Sequence, residues 1–206
     1  MKHFNPRDYS HGDNYRLAAS LVVPRPIAWV STLGRDGIIN LAPYSFFNIV
    51  SSDPLYVLIS VGQREDGSPK DTARNILETG EFVVNLVTED LIRAMNISAT
   101  DFPANESELA AAGLHAAPSQ CLGAPVVAEA RASLECRLHS SQPLGNSTLL
   151  IGEVVMMNVA DEFLAAGLDV PGFTPVGRMG SPAWYCRTGD RFEMSRVPYS
   201  ALKPNR

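Results

Sequence analysis

The chain has 206 residues, 45% of them apolar, and carries 17 Lys and Arg against 22 Asp and Glu for a formal charge of −5. That length suits one domain over residues 1–206 with a sizeable core. No basic run offers a footprint for nucleic acid, and no apolar run reaches the roughly 18–20 residues of a membrane span, so neither partner is expected.

The N-terminus, Met1-Lys2-His3-Phe4-Asn5-Pro6, lacks the apolar stretch of a leader, and a soluble cytoplasmic protein is expected. Residues 14–23 read as a short helix or turn leading into a strand, the helix stopped by Pro24 and Pro26. Residues 27–33 read as a strand, Gly34-Arg35-Asp36-Gly37 as a hairpin turn, and residues 38–41 as the returning strand. The stretch that follows, Ala42-Pro43-Tyr44-Ser45-Phe46-Phe47-Asn48, has strand composition but is broken by a proline and two polar residues. Pro43 there reads as a bend or an edge device. Residues 55–61 form an apolar strand. Residues 70–80 read as a helix capped by Asp71 or Thr72 and ended by Gly80.

Residues 81–87 are a strand, residues 90–95 a helix, and Asn105-Glu106-Ser107-Glu108 has the spacing of a capping box. Residues 130–138 alternate, apolar at even positions and polar at odd ones, as in a half-buried strand. Cys136 falls on the apolar side and reads as a small buried hydrophobe. Residues 148–159 form its partner strand. A last turn at Gly189-Asp190 separates two further strand-like pieces, 184–186 and 192–194. Paired strands with inserted helices argue for a mainly β, closed or nearly closed antiparallel barrel rather than a doubly wound sheet.

The three cysteines (121, 136, 186) and four histidines (3, 11, 115, 139) are scattered. They form neither a disulfide framework nor a metal-ligand spacing. There is no dinucleotide fingerprint, P-loop or nucleophile elbow, and no catalytic side chain is singled out. Such a chain, if an enzyme, borrows its chemistry from a cofactor. Two features could serve one. The helix start at Lys70-Asp71-Thr72 places free N–H groups, a hydroxyl and an ammonium together, which suits either a phosphate or ordinary capping. Trp29 to Leu33 and the 42–48 stretch could lie beside a planar ring, although Trp29 and Phe46 would equally serve core packing.

The ordered series Pro24-Arg25-Pro26-Ile27-Ala28-Trp29-Val30-Ser31-Thr32, Asp36-Gly37, Asn40-Leu41-Ala42-Pro43-Tyr44-Ser45-Phe46-Phe47-Asn48, Lys70-Asp71-Thr72 with Asn75, Glu135-Cys136, Ile151-Gly152-Glu153-Val154 and Gly177-Arg178-Met179-Gly180 with Tyr185 resembles the flavin reductase-like, FMN-binding split-barrel family. Flavoredoxin and the reductase components of two-component monooxygenases belong to it. The resemblance implies a six-stranded antiparallel split barrel that forms a homodimer, with FMN near the dimer interface; FAD stays open. It implies flavin contacts at Ser31, Thr32, Leu33, Ala42, Ser45, Phe46, Phe47 and Asn48, phosphate contacts at Lys70, Asp71 and Thr72, and a further contact at Arg178. Relatives often carry a His-Val-Asp-Asp run after the long strand; this chain has Asn158-Val159-Ala160-Asp161 there. The implied activity is NADH- or NADPH-dependent flavin reduction, with a monooxygenase or other electron acceptor downstream. An FMN electron carrier that never meets a nicotinamide, and a non-catalytic dimeric barrel, are the alternatives.

Overall fold

The computed structural model describes residues 1–164, 168–180 and 182–202. In chain order the elements are α1 (His11–Leu21), β1 (Ala28–Leu33), β2 (Ile39–Tyr44), β3 (Phe47–Ser52), β4 (Leu55–Gly62), α2 (Asp71–Thr79), β5 (Glu81–Leu86), α3 (Ile92–Ile97), α4 (Glu108–Ala112), β6 (Ala116–Ala117), β7 (Val126–Val127), β8 (Ala132–Leu144), β9 (Ser147–Val159), β10 (Gly177–Arg178) and β11 (Tyr185–Cys186). The expected mainly β architecture is observed, with seven strands in the main sheet rather than six. Their order is β2-β1-β5-β8-β9-β4-β3, and every pairing is antiparallel.

The seventh strand arises in the 39–52 stretch. It is not one irregular strand but two, β2 and β3, parted at Ser45 and Phe46. Pro43 stays inside β2 opposite Trp29. It is tolerated because β2 is an edge strand with β1 as its one ladder partner, so the missing N–H breaks no second ladder.

The sheet is rolled. Val30, Val57, Ile59, Phe82, Val84, Cys136 and Leu150, from five strands, share one buried cluster, against which Tyr44 of β2 and Phe47 of β3 also pack. Strands from both ends of the order thus enclose one core, although no ladder joins β2 to β3. Gly152 of β9 makes room inside this core: a Cβ there would lie 2.4 Å from the Phe82 ring. A second cluster lies outside the barrel wall, where Trp29, Leu41, Met95, Leu109 and Val127 meet under α3, α4 and β7. β1 therefore buries both faces, Ala28 and Val30 inward and Trp29 outward, with the Trp29 indole donating to Ser98 Oγ at 2.8 Å. Trp29 is core packing.

Other expectations change in detail. α1 begins at His11 behind a Ser10 cap. The capping residue of α4 is Ser107, not Asn105. α2 has Lys70 at its N-cap with no side-chain cap bond, and Gly80 ends it at φ +75° as expected. The odd positions of β8 do not all face solvent, since Ser133 and Glu135 are buried under the 117–128 layer. Residues 192–194 form no strand; Tyr185–Cys186 pairs instead with Gly177–Arg178.

Candidate functional site

Three adjoining cavities share Pro43 and Tyr44 at the end of β2. The first, about 80 Å³, lies at the start of α2 among Asn40, Arg64, Lys70, Thr72 and Glu108. The second, about 390 Å³, is bounded by Tyr15, Ser45, Phe46, Gln63 and Lys70. The third, about 200 Å³, lies among Tyr15, Ser45, Arg178 and Tyr185. Together they make a cleft running from the α2 N-terminus, past the β2–β3 break, to β10.

The α2 end is rich in donors. The helix start has no side-chain cap, so its first N–H groups stay available to a ligand. Thr72 is 1% exposed, and its Oγ1 accepts from Asn40 Nδ2 at 2.8 Å and from the Tyr44 hydroxyl at 2.9 Å. That leaves the Thr72 proton as a donor. Burial pushes the Tyr44 phenol up, so it stays protonated at neutral pH. Asp71, in the first turn, is neutralised by Arg64 at 2.5 Å and Arg74 at 2.6 Å. Lys70 Nζ lies 3.8 Å from the exposed Asp101 carboxylate. Glu108 closes the back wall, where its Oε2 accepts the Leu41 N–H at 2.8 Å. Burial pushes the Glu108 carboxyl above the ordinary carboxylate range, and the neighbouring Asp71 charge adds to that.

The middle of the cleft sets two aromatic rings among polar groups such as Ser45, Ser60 and Gln63. Tyr15 and the half-exposed Phe46 lie 6.2 Å apart between ring centres. Ser45 Oγ accepts from Arg25 Nε at 3.3 Å, which frees its own proton to donate. Arg25 is 5% exposed and ties this corner together, donating to the carbonyls of Ala19 at 2.6 Å, Val22 at 2.8 Å and Met179 at 2.9 Å. At the far end the Arg178 guanidinium sits 4.7 Å over the Tyr185 ring and donates to the Pro182 carbonyl at 2.6 Å.

Of the residues singled out in the sequence, Ala42, Ser45, Phe46, Lys70, Asp71, Thr72 and Arg178 line this cleft. Thr32 stands behind it, accepting from Asn75 of α2 at 3.0 Å. Ser31 points the other way, donating to the Pro125 carbonyl at 2.5 Å and accepting from Asn85 at 3.0 Å. Leu33 is half-buried at the end of β1. Phe47 packs on the barrel core, and the exposed Asn48 turns its side-chain oxygen onto the Ile49 N–H at 2.9 Å. Tyr15, Asn40 and Arg64 line the cleft without having been given a contact, and Tyr44 lines it from within the 42–48 stretch. Asn40 stood only within the series that carries the family resemblance.

A second buried carboxylate lies away from the cleft. Glu135 Oε1 accepts from the Gln120 N–H at 2.8 Å and from Asn158 Nδ2 at 2.9 Å, and Oε2 accepts from the Cys121 N–H at 2.8 Å. Burial opposes its ionisation, but these three donors win and hold it below the ordinary carboxylate range. Among the described residues, no group of three or more His, Cys, Asp or Glu could hold a metal ion, and no helix is long and apolar enough to cross a membrane.

The sequence matches the flavin reductase like domain over residues 20–188. The chain belongs to that family. Among solved structures it is similar to nitrilotriacetate monooxygenase component B from Bacillus cereus, at 37% identity and a TM-score of 0.90, covering 94% of this chain and 98% of that one. It is also similar to the 2-nitrobenzoate 2-nitroreductase NbaA of Pseudomonas fluorescens, at 33% identity and a TM-score of 0.87, covering 99% of both chains. A protein with a split-barrel domain from Shewanella frigidimarina NCIMB 400 shares the fold at 22% identity and a TM-score of 0.80, over 97% of this chain and all of that one. The flavin reductase-like chain is a flavin-binding split barrel of the oxidoreductase type.

The donor set of the cleft fits a flavin mononucleotide. An uncapped helix start, the Thr72 hydroxyl and Lys70 suit a phosphate, and the aromatic stretch beside Ser45 suits a flat ring.

Proposed function

We propose that the protein is an NAD(P)H-dependent flavin reductase that holds FMN in the cleft along Pro43, Tyr44 and Ser45, and that it works as a homodimer supplying a monooxygenase or another electron acceptor. The observation that carries this reading is the continuity of a donor-lined end and an aromatic stretch along one strand end. The likeness to a monooxygenase component B supports the downstream role.

When bound, the flavin supplies hydride acceptance from a nicotinamide and onward electron transfer. The chain's own residues bind and orient. Lys70, the Thr72 hydroxyl and the first N–H groups of α2 hold the phosphate. Asn40 and Tyr44 fix the Thr72 oxygen so that its proton points at the ligand. Arg25 fixes Ser45 in the same way, leaving the Ser45 proton to donate to a ring edge. Phe46 and Tyr15 flank the ring. A cleft that holds donor and flavin together would supply much of the rate by proximity, which accords with the lack of an acid–base side chain singled out in the sequence.

An absorbance spectrum of purified protein with added FMN, followed by stopped-flow mixing with NADH and NADPH, tests this. Bleaching of the flavin band on mixing with either nicotinamide is expected. A flavin-loaded protein that bleaches with neither is an electron carrier, and a protein that takes up no FMN is a non-catalytic barrel. The likeness to NbaA favours a second reading, a nitroaromatic reductase that keeps its flavin. Reduced protein reoxidised faster by 2-nitrobenzoate than by oxygen or free flavin would favour it.

A further inference from the structure

The charges of the cleft are matched at one end and unmatched at the other. At the α2 start, Arg64 and Arg74 close on Asp71, and Lys70 faces Asp101. At the β10 end stand the guanidinium groups of Arg25 and Arg178. Neither has a carboxylate partner among the described residues. Their main chains hold them side by side: the Arg25 N–H donates to the Arg178 carbonyl at 2.9 Å, and the Arg178 N–H donates to the Arg25 carbonyl at 2.8 Å. Burial pushes the Arg25 guanidinium below the usual arginine range, and the Arg178 charge adds to that. Like charges drawn out of water without a counter-ion are costly, and an anion between them and the cleft relieves both.

The two groups differ in what they have left to give. Arg25 spends its donors on Ser45 and on the carbonyls of Ala19, Val22 and Met179. It fixes its neighbours and supplies charge. Arg178 gives one N–H of Nη2 to the Pro182 carbonyl and has no other acceptor among the described residues. One forked edge of its guanidinium is therefore open, and the residue lines the third cavity. Such an edge takes a carboxylate through two parallel bonds.

The size and walls of that cavity limit what the carboxylate is attached to. The space is about 200 Å³, walled by Tyr15, Ile27, Met95 and Tyr185 beside Arg178. An apolar cavity of about 150 Å³ takes benzene, whereas pockets for drug-sized ligands start at about 300 Å³. One substituted ring fits and a dinucleotide does not. Tyr15 and Ser45 line this cavity and the second one alike, so the occupant sits next to the flavin slot.

We propose that the third cavity is a second-ligand subsite for a single-ring aromatic carboxylate, with Arg178 taking the carboxylate and Tyr15, Ile27 and Met95 bounding the ring. This rests on the reading that FMN fills the middle of the cleft, and it gives the flavin a neighbour.

Calorimetric titration of the FMN-loaded full chain with benzoate and with benzamide tests it, because the two probes share a ring and differ in charge. Benzoate should bind at least about tenfold more tightly than benzamide, as expected for a charge-assisted pair. Arg178→Gln should remove that margin by weakening benzoate alone, with a melting curve that shows the variant folded. Equal affinities in the parent, or no binding of either probe, overturn the proposal. So does a folded Arg178→Gln variant that keeps the margin. Competition between FMN and benzoate also overturns it, since the cavity then belongs to the flavin. The comparison of the two probes needs no substitution and decides alone if the variant fails to fold. A chain that takes up no FMN yet prefers benzoate, and loses the preference in Arg178→Gln, overturns the flavin reading and leaves the subsite standing.

Discussion

Glu135 and Glu108 are both sealed into this protein, and the chain treats them in opposite ways. Glu135 meets three donors and stays ionised below its ordinary range. Glu108 meets the Leu41 N–H, from the edge of the sheet, and its own N–H, and sits beside another carboxylate with its ionisation disfavoured. Both are shut from solvent, burial opposes the charge of each, and the better-supplied Glu135 is the one whose charge is favoured. The first arrangement is a completed strut between β8 and the layer above it. The second is an incomplete one, and it borders the cleft. A region with unspent donors and charges is where a ligand has something to bind.

The largest expected effect comes from breaking the complete region. Glu135→Ala strands two backbone N–H groups and an amide, each costing about 1–3 kcal/mol when left unpaired. A loss of about 3 kcal/mol or more in urea unfolding is expected, and a loss under ~1 kcal/mol would show that the loop at 120–121 simply turns to water. Next in size is the cleft itself. Lys70→Ala together with Thr72→Ala should weaken FMN binding at least about tenfold, close to the loss of one charge-assisted bond. Fluorescence quenching reads this directly, and unchanged affinity removes the phosphate end from the α2 start.

A smaller effect sharpens the contrast between the two carboxylates. The folded-state pKa of Glu108 is raised, so the folded protein holds that proton longer than the unfolded chain does. Its charged form costs stability, and the cost is absent at low pH and grows as pH rises through the ordinary carboxylate range and past it. Glu135 has a lowered folded pKa. Its contribution is present above the ordinary range and is lost as pH falls through it. Melting curves should therefore show Glu108→Gln level with the parent at pH 4 and above it at pH 8, whereas Glu135→Gln falls furthest below the parent at pH 8. Parallel pH profiles for the two variants would end the comparison. The smallest effect is expected at Phe46→Ala. Its exposed ring should leave stability within about 0.5 kcal/mol, while FMN affinity drops a few-fold by titration.

The strands were readable because alternation and turn chemistry are local. Residues 81–87 and 148–159 needed nothing from the rest of the chain. The break at Ser45 and Phe46 was not readable, because rolling the sheet, not the local sequence, decides where β2 must end and β3 begin. Ser31 and Thr32 show a limit of reading neighbours as a pair. Consecutive strand residues point to opposite faces, so Ser31 reaches Pro125 while Thr32 reaches α2. Asn40, Tyr44 and Thr72 form one cluster from two elements about thirty residues apart, as the Asn40 and Tyr44 bonds to Thr72 show, and no spacing rule announces it. Glu135 sat at the odd position of a clean alternation and read as solvent-facing. The donors that bury it arrive from residues 120, 121 and 158.

The Phe82 ring fills the place where a side chain at position 152 would be, with its Cζ 2.4 Å from where that Cβ would start. The two positions thus share one allotment of volume. Gly152→Ala alone overpacks the barrel, and Phe82→Leu alone leaves a void. A mutational path between descendants of this chain has to pass through one of those two weakened intermediates before it reaches the compensated pair. This part of the barrel will therefore diverge in coupled steps.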